Sequence, residues 1–224
     1  MAIILGIETT TRNCSVALFE NGDLLQLKEQ NSENYSHAEQ LTLFIKELVR
    51  KSDITFNKID AIALSKGPGS YTGLRIVAST AKGLCYSLDI PLISISTLRA
   101  MALSMSQVQQ FELFCPMIDA KRMEVFSAIY DNANIQVREI RADLVDNSIY
   151  AEFLKKKVLF FGDGAIKCKE IIDNSNAKFI DGIYPSARDL GVISYQKFTH
   201  KDFEDVAYFE PYYLKDFLPG KKKV

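Results

Sequence analysis

The sequence predicts an α/β protein built from two similar lobes, each with the element order βββαβαβα. Three observations lead to this prediction. Apolar, β-rich runs follow one another at the start of the chain, helical periodicity then alternates with buried strands, and the same order begins again near residue 113. A strand triplet followed by alternating helices and strands is typical of a mixed sheet covered by helices. Two such units would face each other across a cleft.

The first lobe begins with three strands that we expect to pair in antiparallel fashion. The sequence Asn-Gly-Asp at 21–23 is a turn signal between the second strand and the third. Ser36 and Glu39 form a capping box at the start of a helix with regularly spaced apolar residues. The predicted strands are 2–6, 14–19, 24–30, 59–64 and 91–95, and the predicted helices are 36–51, 72–88 and a third from Thr97.

The second lobe repeats this order with little residue identity to the first. We expect the lobes to be 1–100 and 101–224, with a hinge in the weakly apolar stretch 100–110. The aromatic, irregular segment after Lys201 is expected to pack along a lobe surface. The predicted strands are 113–118, 124–130, 135–140, 158–161 and 178–180, and the predicted helices are 147–156, 165–173 and 186–198.

Composition and charge exclude several classes of protein. Apolar residues make up 47% of the 224 residues and charged residues 25%, a globular balance that a disordered chain, a collagen or a coiled coil would not show. Lys and Arg total 27 against 28 Asp and Glu, so we expect no strongly basic surface for coating nucleic acid. The start of the chain lacks a basic segment typical of signal peptides, and no apolar stretch could span a bilayer. We therefore expect a cytoplasmic protein that does not bind a membrane.

Neither the histidines nor the cysteines are spaced for catalysis or metal binding. His37 and His200 form no HxxxH or HExxH pair, and we expect His37 to be a surface residue in the first turn of a helix. No Ser-His-Asp arrangement is visible, and Tyr71 stands where a serine-nucleophile turn needs a small residue. The sequence thus predicts no catalytic residue and no metal ligand. The cysteines lack a CxxC pair and are expected to be buried thiols: Cys14, Cys85, Cys115 and Cys168.

Two equivalent loops are candidates for contact with a nucleotide or another anion. Glu8, Thr9 and Thr10 follow the first strand, in the loop that faces the interlobe cleft of such duplicated folds. A turn of this kind can cradle phosphate through backbone N–H groups and hold a metal through its acid. Asp119 and Lys121 lie in the equivalent loop of the second lobe, which has bulky basic residues and no glycine. Internal salt bridges are the favoured interpretation of this second loop.

The segment KGPGSYTGLR at 66–75 joins a buried strand to a helix. Its Pro and Gly residues favour a sharp turn, and Ser70 or Thr72 can cap the helix that follows. Tyr71 and Arg75, one turn apart, belong to residue types enriched at interface hot spots. GxxxxGK[ST] is absent, so this segment is not a P-loop. Small residues thin the helix, either for packing inside the lobe or for docking a partner: Gly73, Ala78, Ala81 and Gly83.

Several segments together resemble the TsaB (YeaZ) family of bacterial proteins. They are ILGIETTTRNCSVAL, KGPGSYTGLRIVASTAKGLCYSLDIPLISISTL and MIDAKRMEVFSAIY, followed in order by FFGDGA, YPSARDLG and EPYYL. The resemblance covers essentially the whole chain, and GPGSYTGLR followed by AKGL is its most specific part. It implies a duplicated actin-like ATPase-domain fold (ASKHA, ribonuclease H-like), which agrees with the internal repeat.

The resemblance also implies a role in making threonylcarbamoyladenosine beside the anticodon of tRNAs that read ANN codons. It implies a non-catalytic subunit that binds and activates a TsaD-type catalytic subunit, together with a TsaE-type ATPase. A separate TsaC-type enzyme would supply the threonylcarbamoyl-adenylate. Contact with tRNA is expected only indirectly, through the complex.

The two long helices of the first lobe are the expected interface with the TsaD-type partner. They would lie side by side and form a helical bundle with that partner, or a homodimer when the chain is alone. A charged substitution at an exposed apolar position of either helix should then abolish the complex. The expected interface residues are Leu41, Phe44, Ile45, Leu48, Tyr71, Thr72, Arg75 and Ser79.

Residues that differ from the related proteins argue against metal and nucleotide binding. The HxxxH of TsaD-type relatives falls on Thr97 and Met101, and neither residue can replace an imidazole ligand. At three positions this chain differs from the residue more usual in the family: Glu8 replaces Asp, Lys121 replaces Arg and Met123 replaces Gly. We therefore expect no cofactor in the isolated chain, and ATP or ADP only in the complex.

Two other functions remain open at the level of the sequence. The chain could be an ATP-dependent phosphotransferase that uses Glu8, Thr9, Thr10 and Asp119. Alternatively, nucleotide could bind only at the joint with the partner, within reach of Glu8 or Arg75.

Overall fold

The computed structural model describes residues 1–32, 37–108 and 110–215. These residues form two mixed five-stranded sheets and four α-helices. The strands are β1 (Ile3–Glu8), β2 (Asn13–Glu20), β3 (Asp23–Asn31), β4 (Ala61–Gly67), β5 (Leu92–Ser96), β6 (Leu113–Asp119), β7 (Glu124–Asp131), β8 (Gln136–Leu144), β9 (Val158–Phe161) and β10 (Ala177–Ile180). The helices are α1 (His37–Lys51), α2 (Tyr71–Leu88), α3 (Thr97–Met105) and α4 (Gly191–Thr199).

The two sheets have the same topology, which confirms the predicted duplication. The first has the order β3-β2-β1-β4-β5 and the second β8-β7-β6-β9-β10. In each sheet the first three strands pair in antiparallel fashion, and the last two add in parallel. All ten strands were predicted, and their ends differ from the prediction by a few residues at most.

The central strands are buried because both faces of each sheet are covered. Every residue of β1 is buried, whereas β3, at the sheet edge, is exposed or half-buried along its length. Helices α1 and α2 pack on one face of the first sheet. Helix α4 packs on the other face, and α3 contacts both sheets through Ala100 on the first and Leu98 and Met101 on the second.

Two predicted helices of the second lobe are wrong. The segment 147–156 forms only turns and a 3-10 turn at Phe153–Lys155, and 165–173 forms only a 3-10 turn at Ile166–Cys168. Helical propensity is a weak preference that tertiary contacts override. Single turns are enough here to place Tyr150 and Leu154 in the core beside the second sheet.

The third predicted helix of this lobe, 186–198, begins as a 3-10 turn at Ala187–Leu190 and continues as α4. Leu190 and Ile193 pack against the first sheet, although the predicted boundary put them in the second lobe. The division at residue 100 remains a prediction. Ser36, and with it the predicted capping box, lies outside the described residues.

The segment after α4 returns along the first lobe, as expected. Glu204 pairs with Leu92 of β5 in a short antiparallel bridge, and Phe209 joins the core under α1 and α2. Among the residues that the structure describes, none of the helices combines the length and hydropathy of a membrane-spanning segment.

Candidate functional site

The loops after β1, β6 and β9 meet the N-terminal end of α2 around a cleft of about 410 Å³. The fold thus brings together the predicted anion loops of both lobes. The polar residues that line this cleft include Thr10, Ser70, Tyr71, Asp119, Lys121 and Asp163. Asp163, in the Gly-Asp-Gly turn after β9, was not predicted as a site residue.

The loop after β1 is clamped against the start of α2. The Thr9 hydroxyl donates to the carbonyl oxygen of Gly73 over 2.8 Å, and the Ser70 N–H donates to the carbonyl oxygen of Thr10 over 2.7 Å. A Cβ atom at Gly69 or Gly73 would overlap Thr10 or the Thr9 carbonyl. Close packing inside the lobe therefore explains these two glycines of the GPGSYTG segment.

Glu8 is buried beneath this loop and is 1% exposed. Burial raises the pKa of its carboxyl, and hydrogen bonds from neighbouring groups offset only part of that effect. One oxygen of the carboxyl accepts the backbone N–H of Thr10. Glu8 therefore fixes the shape of the loop from inside the protein.

The equivalent loop of the second lobe is held by internal ion pairs. The Lys167 ammonium donates to the Asp119 carboxylate and to the carbonyl oxygens of Arg122 and Glu124. Lys121 lies 3.8 Å from the same carboxylate, with a largely exposed side chain. Of the predicted pairings, Lys121 with Asp119 is present, whereas Glu124 pairs with Lys215. Lys167, which holds the loop, was missed because its sequence position carries no motif.

Carboxylates already occupy backbone N–H groups that a phosphate loop would present to an anion. Thr10 N–H donates to Glu8, Lys121 N–H donates to Asp119 over 3.1 Å, and Asp119 N–H donates to Asp163 over 3.0 Å. Burial also raises the pKa of Asp163. Anion cradles need free N–H groups and little negative charge. This geometry does not favour the phosphotransferase hypothesis.

The outer surface of α1 and α2 is the second candidate site. The side chain of Ser70 caps α2 by accepting the Gly73 N–H over 3.3 Å. Of the two caps predicted, Ser70 and Thr72, it is Ser70 that takes this role. Tyr71 is half-buried, and the Arg75 guanidinium lies 5.7 Å from the centre of its ring. The residues that follow one exposed face of α2 are Thr72, Arg75, Ser79, Gly83 and Tyr86.

The apolar residues chosen for α1 need a correction. All four lie in the core of the first lobe and are at most 7% exposed, so they are not available at the surface of this chain. The large apolar residue that α1 exposes is Leu43, which is 62% exposed. On α2, a Cβ atom added at Gly83 would meet nothing within 4 Å, whereas Ala78 and Ala81 are buried. The four residues that were expected at the interface but are buried are Leu41, Phe44, Ile45 and Leu48.

His37 is buried, which corrects the expected surface position. Its Nε2 lies 2.7 Å from the carbonyl oxygen of Thr11, and burial lowers the pKa of its imidazole. Thr97 and Met101 are buried in α3. Among the described residues, no three His, Cys, Asp or Glu side chains are grouped to hold a metal ion. All four cysteines are free and buried, as predicted.

The comparison with solved structures defines the class of protein. The chain superposes on YeaZ from Pseudomonas aeruginosa with a TM-score of 0.77 and 25% identity, over 96% of this chain and all of that one. With the duplicated topology, this is the actin-like ATPase-domain fold in two α/β lobes.

The comparison with known sequences defines the family. The family model described as TsaD, tRNA N6-adenosine threonylcarbamoyltransferase, matches residues 32–216. The tRNA threonylcarbamoyladenosine biosynthesis protein TsaB of Buchnera aphidicola (from Acyrthosiphon pisum) is 32% identical over 84% of this chain and 86% of its own length. TsaB of Escherichia coli is 29% identical over 98% and 97%. TsaB of Haemophilus influenzae is 32% identical over 69% of this chain, but the match spans only 63% of that protein. The chain belongs to the TsaB family, within the wider group that the TsaD model describes.

Proposed function

We propose that this protein acts in the biosynthesis of threonylcarbamoyladenosine in tRNA, as a non-catalytic subunit that binds a TsaD-type catalytic subunit. The observation that carries the proposal is the exposed face of α2, where Thr72, Arg75, Ser79, Gly83 and Tyr86 recur at intervals of three or four residues. Residues at this spacing lie on one side of a helix. The family membership supplies the pathway.

The chemistry of this face suits contact with another helix. Ser79 and Gly83 are small, so the backbone of a second helix can come close to α2 at its centre. Arg75 and Tyr86 flank these small residues, and both belong to types enriched at hot spots. Tyr86 is 88% exposed, so its ring is available for contact with a partner. Helix α1 packs beside α2 and exposes Leu43.

The wider setting rests on the family resemblance. A TsaE-type ATPase would be a further member of the complex. The chain would contact tRNA only through that complex, and the complex would act in the cytoplasm. Without its partner the chain would use the same face to form a homodimer. ATP or ADP would bind only where this chain and its partner meet, because the isolated cleft directs carboxylates at its backbone N–H groups.

A charged substitution at the centre of the face tests the interface. In Gly83→Glu the new side chain enters open space, so the lobe should fold normally, whereas a partner helix would meet a buried charge. We expect at least a roughly tenfold rise in the Kd for the TsaD-type partner, measured by isothermal titration. Ile135→Glu is the matched control, because Ile135 is 61% exposed on the second lobe, away from α2.

The cellular test is nucleoside mass spectrometry of total tRNA. Depletion of the protein should remove threonylcarbamoyladenosine while the TsaD-type partner is still present, and Ile135→Glu should restore it better than Gly83→Glu. An unchanged Kd in Gly83→Glu combined with Leu43→Glu would refute the interface. A modification that persists after depletion would refute the role in the pathway.

A further inference from the structure

The C-terminal strap, residues 209–215, connects the core of the first lobe to the second lobe and on its way contacts Tyr71, beside the proposed partner face. We propose that Tyr213 of this strap is a positioning residue, which holds Tyr71 and through it Arg75 in the arrangement that the partner recognises. The inference rests on the proposed function and names a residue outside α1 and α2 on which that function depends.

The strap is anchored first in the lobe that carries α2. Phe209 is buried in its core, and the Lys82 ammonium donates to the carbonyl oxygens of Ala207 and Phe209 over 2.9 and 3.2 Å. The Tyr212 N–H donates to the carbonyl oxygen of Lys66, in β4, over 2.7 Å. These backbone contacts fix the path of the strap beside α2.

The next residue, Tyr213, contacts Tyr71 at the start of α2, beside the partner face. The ring of Tyr213 lies against that of Tyr71, with centroids 4.8 Å apart and planes inclined by 37°. The Arg75 guanidinium in turn lies 5.7 Å from the Tyr71 ring centre. Aromatic pairs and cation–π contacts both restrict side-chain rotamers. Tyr71 is therefore held between a residue of its own helix and one of the strap.

The last described residues of the strap belong to the second lobe. Leu214 packs on the cluster that contains Ile118 and Phe126, and Lys215 forms an ion pair with Glu124 at the start of β7. Tyr71 and Phe126 both line the interlobe cleft. The strap thus connects the second lobe to the α2 face along the edge of this cleft.

This arrangement reduces the entropy that binding would cost. Side chains ordered before association need not be immobilised by the partner, and such ordering is a large part of the cost of forming an interface. Removing the Tyr213 ring takes away one of the contacts that order Tyr71, so the partner would have to supply part of that order. The expected effect of losing one aromatic contact of this kind is a threefold to tenfold rise in Kd.

The experiment measures the Kd of the full chain for its TsaD-type partner by isothermal titration. Tyr213→Ala should raise the Kd threefold to tenfold, whereas Tyr213→Phe, which keeps the ring, should stay within twofold of the parent. Tyr208→Ala is the matched control, because Tyr208 is 85% exposed and precedes the strap. Thermal unfolding of each variant shows whether the lobe is intact.

A double-mutant cycle with Tyr71→Ala separates positioning from direct contact. If Tyr213 acts through Tyr71, Tyr213→Ala should have no further effect once Tyr71→Ala is present. Suppose that Tyr71→Ala and Arg75→Ala raise the Kd, so that the partner face stands. The role of Tyr213 is then overturned if Tyr213→Ala has no effect in the parent, or has an equal effect in both backgrounds. If these two variants leave the Kd unchanged, or no binding occurs at all, the proposed partner face fails with it.

Discussion

The two lobes share one sheet topology, but Asp143 in the second lobe and Glu8 in the first are buried carboxylates held in opposite ways. In the second lobe, Asp143 is 3% exposed and forms a bidentate pair with the Arg138 guanidinium, at 2.7 and 2.8 Å. In the first lobe, Glu8 is equally buried and accepts a neutral backbone N–H. The two lobes thus share a backbone topology that follows their apolar patterning, whereas their buried polar groups differ.

The direction of the pKa shifts follows from this difference. Burial alone would raise the pKa of Asp143, but hydrogen bonds from Arg138 and Ser127 outweigh it and hold the pKa below its ordinary value. Burial raises the pKa of Glu8, and it raises that of Asp189 to about 7, with Arg188 opposing the change. The Arg138 pair therefore stabilises the ionised form of Asp143, whereas burial penalises the ionised forms of Glu8 and Asp189, and of Asp163 in the second lobe.

The largest effect should come from breaking the charged pair of the second lobe. Asp143→Ala would leave the Arg138 guanidinium buried without its counter-charge, because Arg138 is 9% exposed. The expected loss in the free energy of unfolding is about 3–5 kcal/mol, measured by urea denaturation at pH 7. Asp173→Ala, at an exposed position of the same lobe, is the control and should change the free energy little. A loss below about 1 kcal/mol would show that the pair is dispensable.

A pH series on an Asp189 variant sharpens the comparison. A carboxyl whose pKa is higher in the folded state than in the unfolded state costs nothing below the unfolded value near 4, and its penalty grows as the pH rises to about 7. Asp189→Asn removes this penalty, so the variant should match the parent near pH 4 and exceed its free energy of unfolding by about 1–4 kcal/mol at pH 8.

The control for this series is the second lobe itself. Asp143, with its lowered pKa, stabilises the fold above pH 4 and loses that contribution as the pH falls further, in parent and Asp189→Asn alike. The difference between the two proteins therefore isolates Asp189. A difference that is constant from pH 4 to pH 8 would contradict the raised pKa.

Much of the fold follows from the sequence because apolar periodicity specifies which strands are central. The helices predicted at 147–156 and 165–173 are absent from the described structure. For the first of them, single turns are enough to pack Tyr150 and Leu154 in the core. The site shows a similar limit. The apolar stripe of α1 identifies the side that the lobe itself buries, so Leu41 and Phe44 were assigned to the wrong surface. Sequence spacing located the loops of the cleft, but not the carboxylates that occupy their N–H groups.

The smallest expected effect is on nucleotide binding by the isolated chain. The loops of both lobes use the same local device, in which a carboxylate accepts the N–H two residues ahead: Glu8 from Thr10 and Asp119 from Lys121. Phosphate would have to displace both carboxylates against their negative charge. Titration with Mg-ATP should therefore give no binding at micromolar strength, with the TsaD-type complex as the comparison sample. Micromolar binding that is lost in Glu8→Ala would reverse this conclusion, because it would mean that the buried carboxylate reaches the nucleotide and that the phosphotransferase hypothesis must be reconsidered.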